Sequence, residues 1–129
     1  TGEYPTAKQL YETIDGLSAG DDAVVVSAKT PLLIYDLSFY STDKHPVLFF
    51  DDEMEYQWGS LTPLKESYFG RIDDSKKFKE NTPSFWYVGE DLDSTTDIPE
   101  GTEIIEEASL QLHDKGVRYT LWKLQSKDL

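Results

Sequence analysis

Two stretches of the chain carry apolar residues without a break, Ala23-Val-Val-Val-Ser27 and Pro46-Val-Leu-Phe-Phe50, and a third, Ser84-Phe-Trp-Tyr-Val88, repeats the pattern. A strand with one wet face alternates apolar and polar residues. Uninterrupted β-branched and aromatic runs belong instead to strands covered on both faces, as in a parallel sheet. Between the first two runs, Thr30-Pro31 reads as a helix start, and Leu32, Leu33, Tyr35, Leu37, Phe39 and Tyr40 continue as a largely buried helix. Residues 23–50 therefore predict a strand–helix–strand unit long enough to cross over between parallel neighbours.

Around that unit the pattern is simpler. Ala7, Leu10, Tyr11, Ile14 and Leu17 recur at helical spacing and predict a helix over 5–17, ended by Gly16 and Gly20. Residues 51–60 read as a polar loop, with helical fragments at about 62–69 and 73–80 and an acidic loop over 89–101. Two alternating strands, at about 103–112 and 117–125, are joined by a turn at 113–116. In the last strand Val117, Tyr119 and Leu121 fall on one face, and Thr120, Trp122 and Leu124 on the other. The expected fold is a single α/β domain over residues 1–129. It is a three-layer sandwich whose mostly parallel, Rossmann-like sheet ends in a C-terminal antiparallel hairpin.

Charge narrows the partners. Among 129 residues, 25 are acidic and 12 are Lys or Arg, a net charge of −13. Such a chain repels nucleic acid and anionic lipid, so no nucleic-acid partner is expected. The excess is uneven: residues 1–42 carry −4, residues 43–107 carry −11 and residues 108–129 carry +2. An apolar content of 38% with 13% aromatics is nonetheless enough for a packed core. Cysteine is absent, which removes disulfides, thiolate metal sites and cysteine catalysis. With only His45 and His113 besides, no zinc site or other metal is expected, and no cofactor. No run approaches the roughly 18 apolar residues of a membrane span. The chain opens at Thr1 with Met54 its sole methionine, which reads as an excised domain or a processed form of a larger protein.

Several segments invite chemistry. The turn Ser27-Ala-Lys-Thr-Pro31 follows the first strand, at the end where open α/β sheets bind ligands. It has no glycine to let a backbone close around phosphate, so the dinucleotide and P-loop patterns are absent. A helix cap is the expectation there, with an anion site as the alternative. Asp21 and Asp22 resemble the paired acids of response regulators but precede the strand, so they read as a turn signal. Asp51, Asp52, Glu53 and Glu55 follow the second strand beside Tyr56 and Trp58. One loop seldom supplies the six or so converging oxygens of a hard-cation site, so a solvated loop is expected. Aromatic faces beside carboxylates do suit sugars, and if the domain touches a ligand the expected residues are Thr30, Asp51, Asp52, Glu53, Tyr56 and Trp58. The stretch from Glu90 to Glu107 lacks the turn glycine and final Glu of a calcium loop at their required spacings. No nucleophile elbow or triad spacing appears, and no catalytic residue is assigned.

Three stretches carry a family likeness: Asp22-Ala-Val-Val-Val-Ser27 with Thr30-Pro-Leu-Leu33, then Leu37-Ser-Phe-Tyr40, then His45-Pro-Val-Leu-Phe49. With the later Phe85-Trp-Tyr-Val88 and Tyr119-Thr-Leu-Trp122-Lys-Leu124, they resemble the C-terminal soluble domain of polytopic membrane glycosyltransferases of the dolichyl-phosphate-mannose–protein mannosyltransferase-like superfamily. The likeness spans about residues 6–125. It implies a non-catalytic accessory domain on the extracytoplasmic face of the cell membrane. The enzyme's membrane portion, in the same polypeptide, would be its partner, and a glycan or protein its possible acceptor. Such enzymes use polyprenyl-phosphate-linked sugars, and their catalytic carboxylate lies in the membrane portion, so no catalytic role carries over to a residue here. The alternatives are a freestanding, flavodoxin-like domain holding FMN or a nucleotide, and a protein-interaction module without a small ligand.

Overall fold

The computed structural model describes residues 5–18, 20, 22–30, 33–38, 40, 45–50, 52, 70–112 and 117–127. Its elements are α1 (Pro5–Leu17), β1 (Val24–Val26), α2 (Leu33–Ser38), β2 (Val47–Phe50), β3 (Arg71–Ile72), α3 (Ser75–Asn81), β4 (Ser84–Glu90), β5 (Thr102–Leu112) and β6 (Val117–Ser126). The fold is α/β, built on one six-stranded mixed sheet in the order β3-β2-β1-β4-β6-β5. β1 pairs in parallel with both β2 and β4, β2 pairs in parallel with β3, and β6 runs antiparallel to β4 and to β5.

The three uninterrupted runs form β1, β2 and β4, side by side at the centre. Their side chains divide by pleat. Val24, Val26, Val47, Phe49, Trp86, Val88, Tyr119 and Leu121 join Ala7, Leu10, Tyr11 and Ile14 of α1 and Leu33, Ile34 and Leu37 of α2 in one core cluster. Val25, Phe50, Phe85, Tyr87, Trp122 and Leu124 form a second, against which pack Phe78 of α3 and Leu92 and Ile98 of the long loop after β4. Each fully buried Phe or Leu side chain contributes about 1.5–3 kcal/mol relative to exposure, so the two-sided cover of the central strands is the main stabilising term. Trp86 and Trp122 are both core residues, each 1% exposed.

Two details depart from the sequence pattern. β3 is only two residues long, too short to leave a periodic signature, and adds a fourth parallel strand at the edge. β5 carries a bulge at Ile105, the residue between the paired positions Ile104 and Glu106. Ile105 is 46% exposed there. The predicted helix at 62–69, most of the 51–60 loop and the 113–116 turn lie outside the described residues.

The amino end of β1 is tied down by polar bonds. His45 is 1% exposed. Its Nδ1 lies 2.9 Å from the Asp22 carbonyl oxygen and its Nε2 2.9 Å from Asp15 Oδ1. Tyr11 donates its hydroxyl to the His45 carbonyl at 2.8 Å. Asp22 Oδ2 accepts from Ser18 Oγ at 2.7 Å and pairs with Lys123 Nζ at 3.2 Å. This cluster locks α1, β1, β2 and β6 together at the end of the sheet opposite the loop after β1. Asp22 is therefore an anchor of the turn, as its position before the strand implies. Because the buried His45 ring bridges α1 and the start of β1, His45→Ala is expected to lower unfolding stability by about 1–3 kcal/mol. Urea denaturation checks this, and an unchanged midpoint would contradict the bridging role.

Candidate functional site

The chain runs from β1 to β2 to β3 on one side of β1 and then returns to place β4 on its other side. The strand order reverses at the β1/β4 boundary. In open α/β sheets the loops leaving two such strands diverge, and the crevice between them is where ligands bind. Here the two loops are residues 27–30 after β1 and 91–101 after β4.

A cleft of about 720 Å³ occupies this place. Its walls are Ser27, Ala28 and Lys29 from the first loop, Thr96 through Gly101 from the second, and Ser75, Lys76 and Lys79 from α3, with Tyr87 of β4 beneath. Gly89 lets the two loops approach the sheet closely: a Cβ at that position would lie 3.0 Å from Ser27 Cβ and 2.8 Å from Leu92 Cδ2. Positions 75, 76 and 79 share one side of α3, since residues four apart return to the same helical face.

The walls are pinned by directed bonds. Ser27 N donates to the Val88 carbonyl at 2.8 Å, and Lys29 N donates to Ser27 Oγ at 3.1 Å. Lys29 Nζ crosses to the second loop, donating to the Asp91 carbonyl at 2.9 Å and pairing with Asp97 Oδ2 at 3.2 Å. Asp97 Oδ2 also accepts from Asp93 N at 2.6 Å. Asp91 adopts the left-handed region at φ 47°, which lets the loop turn back over the sheet. Lys79 is 5% exposed, and its ammonium stands 5.1 Å from the centre of the Phe50 ring. That cation–π contact gives the buried charge an electrostatic partner that sequence patterning does not reveal.

Of the residues expected to touch a ligand, the structure describes Thr30 and Asp52. Thr30 Oγ1 accepts from Glu90 N at 3.0 Å, so its hydroxyl fastens the β1 loop to the end of β4. Asp52 Oδ2 accepts from Ser75 N at 3.2 Å and Ser75 Oγ at 2.9 Å, which fixes the start of α3 and one wall of the cleft. Both stand beside the cleft and act on its frame. Asp51, Glu53, Tyr56 and Trp58 lie outside the described residues. The residues that sequence reasoning passed over are Lys76 and Lys79, read as part of a short charged helix, and Asp97, read as loop. The signal that could have found the lysines is the spacing of positions 75, 76 and 79 beside the buried strands.

The acidic loop is internally bonded. Asp93 Oδ1 accepts from the Thr95 hydroxyl at 2.6 Å and from Thr95 N at 2.8 Å. Among the described residues no group of three or more His, Asp or Glu side chains is placed to hold a metal ion. The Thr95 hydroxyl first, and then its N–H, hold the Asp93 carboxyl below the ordinary value of 3.8. A carboxyl depressed by folding stabilises the folded loop above its unfolded pKa, and that contribution is lost as acid carries the pH down through the folded value. Below about pH 4 the Thr95 amide resonance should therefore move with the Asp93 titration. In Thr95→Val that midpoint should rise toward the ordinary value; an NMR pH series showing no change would contradict the assignment.

Against known protein families and curated proteins, this sequence matches no family model and no curated protein.

Proposed function

We propose that the chain is a non-catalytic accessory domain of a membrane-embedded glycosyltransferase that uses a polyprenyl-phosphate-linked sugar. It would stand on the extracytoplasmic face, joined to the membrane portion of the same polypeptide, and hold a glycan or protein acceptor. The observation that carries the reading is the cleft at the strand-order reversal. Its lining combines the hydroxyls of Ser27, Ser75 and Thr96 with the apolar Ile98 and Pro99 over Tyr87. Small-molecule sites pair an apolar wall with a few directed polar groups, and a volume of about 720 Å³ is within their usual range.

Supporting the same reading, the strands that carry the family likeness are the strands at the sheet centre, and the histidine of His45-Pro-Val is the buried bridge to α1. We also read the fold as a Rossmann-like three-layer sandwich. α1 and α2 contribute to one core cluster, while α3 packs against the other. Among the described residues no helix is long and apolar enough to cross a membrane.

The test is the full-length product of the gene that encodes this chain. Recovery with membranes after an alkaline carbonate wash, with residues 1–129 cleaved by protease added from the extracytoplasmic side, is the expected result. Recovery in the soluble fraction would overturn the proposal.

A further inference from the structure

We infer that the cleft selects an anionic ligand: a sugar bearing one anionic group, either phosphate or carboxylate. This rests on reading the cleft as the acceptor site and adds the charge of what it holds.

The observation is a local reversal of charge. Residues 43–107 carry −11, yet that segment sends Lys76 and Lys79 into the cleft, where they meet Lys29 from the β1 loop. Three lysines thus line one cleft in a chain with only 12 Lys and Arg residues, with the Lys29 ammonium paired to Asp97 and that of Lys79 set over the Phe50 ring. The acidic lining residues are two, Asp97 and Glu100. Asp97 and Lys29 offset each other as an ion pair, which leaves Lys76 and Lys79 against Glu100, a net positive lining. Lys76 has no ion pair among the described residues, and it is exposed.

A second observation is independent of the lysines. Ser27 is 2% exposed and lines the cleft. Its Oγ accepts from Lys29 N. No hydrogen bond donated by its hydroxyl is found among the described residues, so that proton is available to a ligand in the cleft. An O–H donor flanked by ammonium groups suits an oxyanion, since hydrogen bonds to charged acceptors are the stronger kind.

The overall −13 does not prevent this. At physiological salt, charges more than about 8 Å away are largely screened, so the groups lining the cleft decide what enters it. The acidic rim does limit the ligand. Asp93, Glu100 and Glu103, all exposed around the second loop and the start of β5, oppose a polyanion and leave a small, singly substituted anion as the fit. Thr96 and the apolar wall of Ile98 and Pro99 then remain for the sugar body.

The experiment is an NMR titration of the ¹⁵N-labelled chain with glucose 1-phosphate, glucuronate, glucose and inorganic phosphate. At least one of the two sugar anions is expected to shift the amides of Ala28, Lys29, Lys76 and Gly101, about tenfold more tightly than glucose or inorganic phosphate. The tighter of the two identifies the oxyanion. Lys76→Gln, at an exposed position without an ion pair among the described residues, should weaken the sugar anion about threefold or more and leave glucose unchanged. Raising salt from about 20 to about 200 mM should weaken the sugar anion and leave glucose unchanged. Equal binding of glucose and the sugar anions would overturn the charge selection and keep the cleft as a glycan site. Equal binding of inorganic phosphate would overturn the sugar. No shift at the cleft with any of the four would overturn both this inference and the acceptor-site reading.

Discussion

Everything in this fold hangs on β1, a strand of three valines paired in parallel on both sides and covered on both faces. Val24, Val25 and Val26 are at most 1% exposed. A strand so short has few ladder bonds of its own, so its place is fixed by what packs above and below it. α1 and α2 lie over Val24 and Val26, while Phe50, Phe85 and Tyr87 surround Val25. Because the chain leaves β1 toward β2 and returns on the far side as β4, the same strand marks the reversal of strand order. The cleft is the geometric result, since two loops departing from adjacent parallel strands in opposite directions leave a gap between them.

The two ends of β1 do different work. At the amino end, Asp15, Asp22, His45, Tyr11 and Lys123 form a dense set of bonds that hold four elements together. At the carboxyl end the bonds fasten loops to one another. Thr30 binds Glu90, Lys29 binds Asp91 and Asp97, and Asp52 binds Ser75. These contacts frame a cavity rather than fill it. They also sort the charge of the chain, because the acidic loop after β4 is stapled through Asp93 and Asp97 while the lysines of the β1 loop and α3 border the open space.

The centre of the sheet was legible because its signal is local. Uninterrupted apolar runs at 23–27, 46–50 and 84–88 became β1, β2 and β4, and the alternation of Tyr119 through Leu124 correctly divided β6 between the two cores. The helix over 5–17 was equally clear from Ala7, Leu10, Tyr11 and Ile14. β3 was not, since two residues carry no period. The cleft was less legible than the sheet. Thr30 and Asp52, expected to touch a ligand, lie at the carboxyl end of the parallel strands, where each bonds to a neighbouring element. Lys79 was the harder case. Its burial depends on the Phe50 ring, 29 positions away in sequence, and only the fold brings the two together.

The central claim is that the cleft beside β1 is where a ligand sits, and lysine footprinting tests it most directly. The chain is treated with an amine-acetylating reagent with and without glucose 1-phosphate or glucuronate, and each lysine is quantified by mass spectrometry. The account predicts that one of the two ligands slows acetylation of Lys29 and Lys76 by about threefold or more while the exposed Lys8 and Lys77 react as before. Identical rates at all four lysines with both ligands at saturating concentration, or equal protection of Lys8 and Lys77, would contradict it.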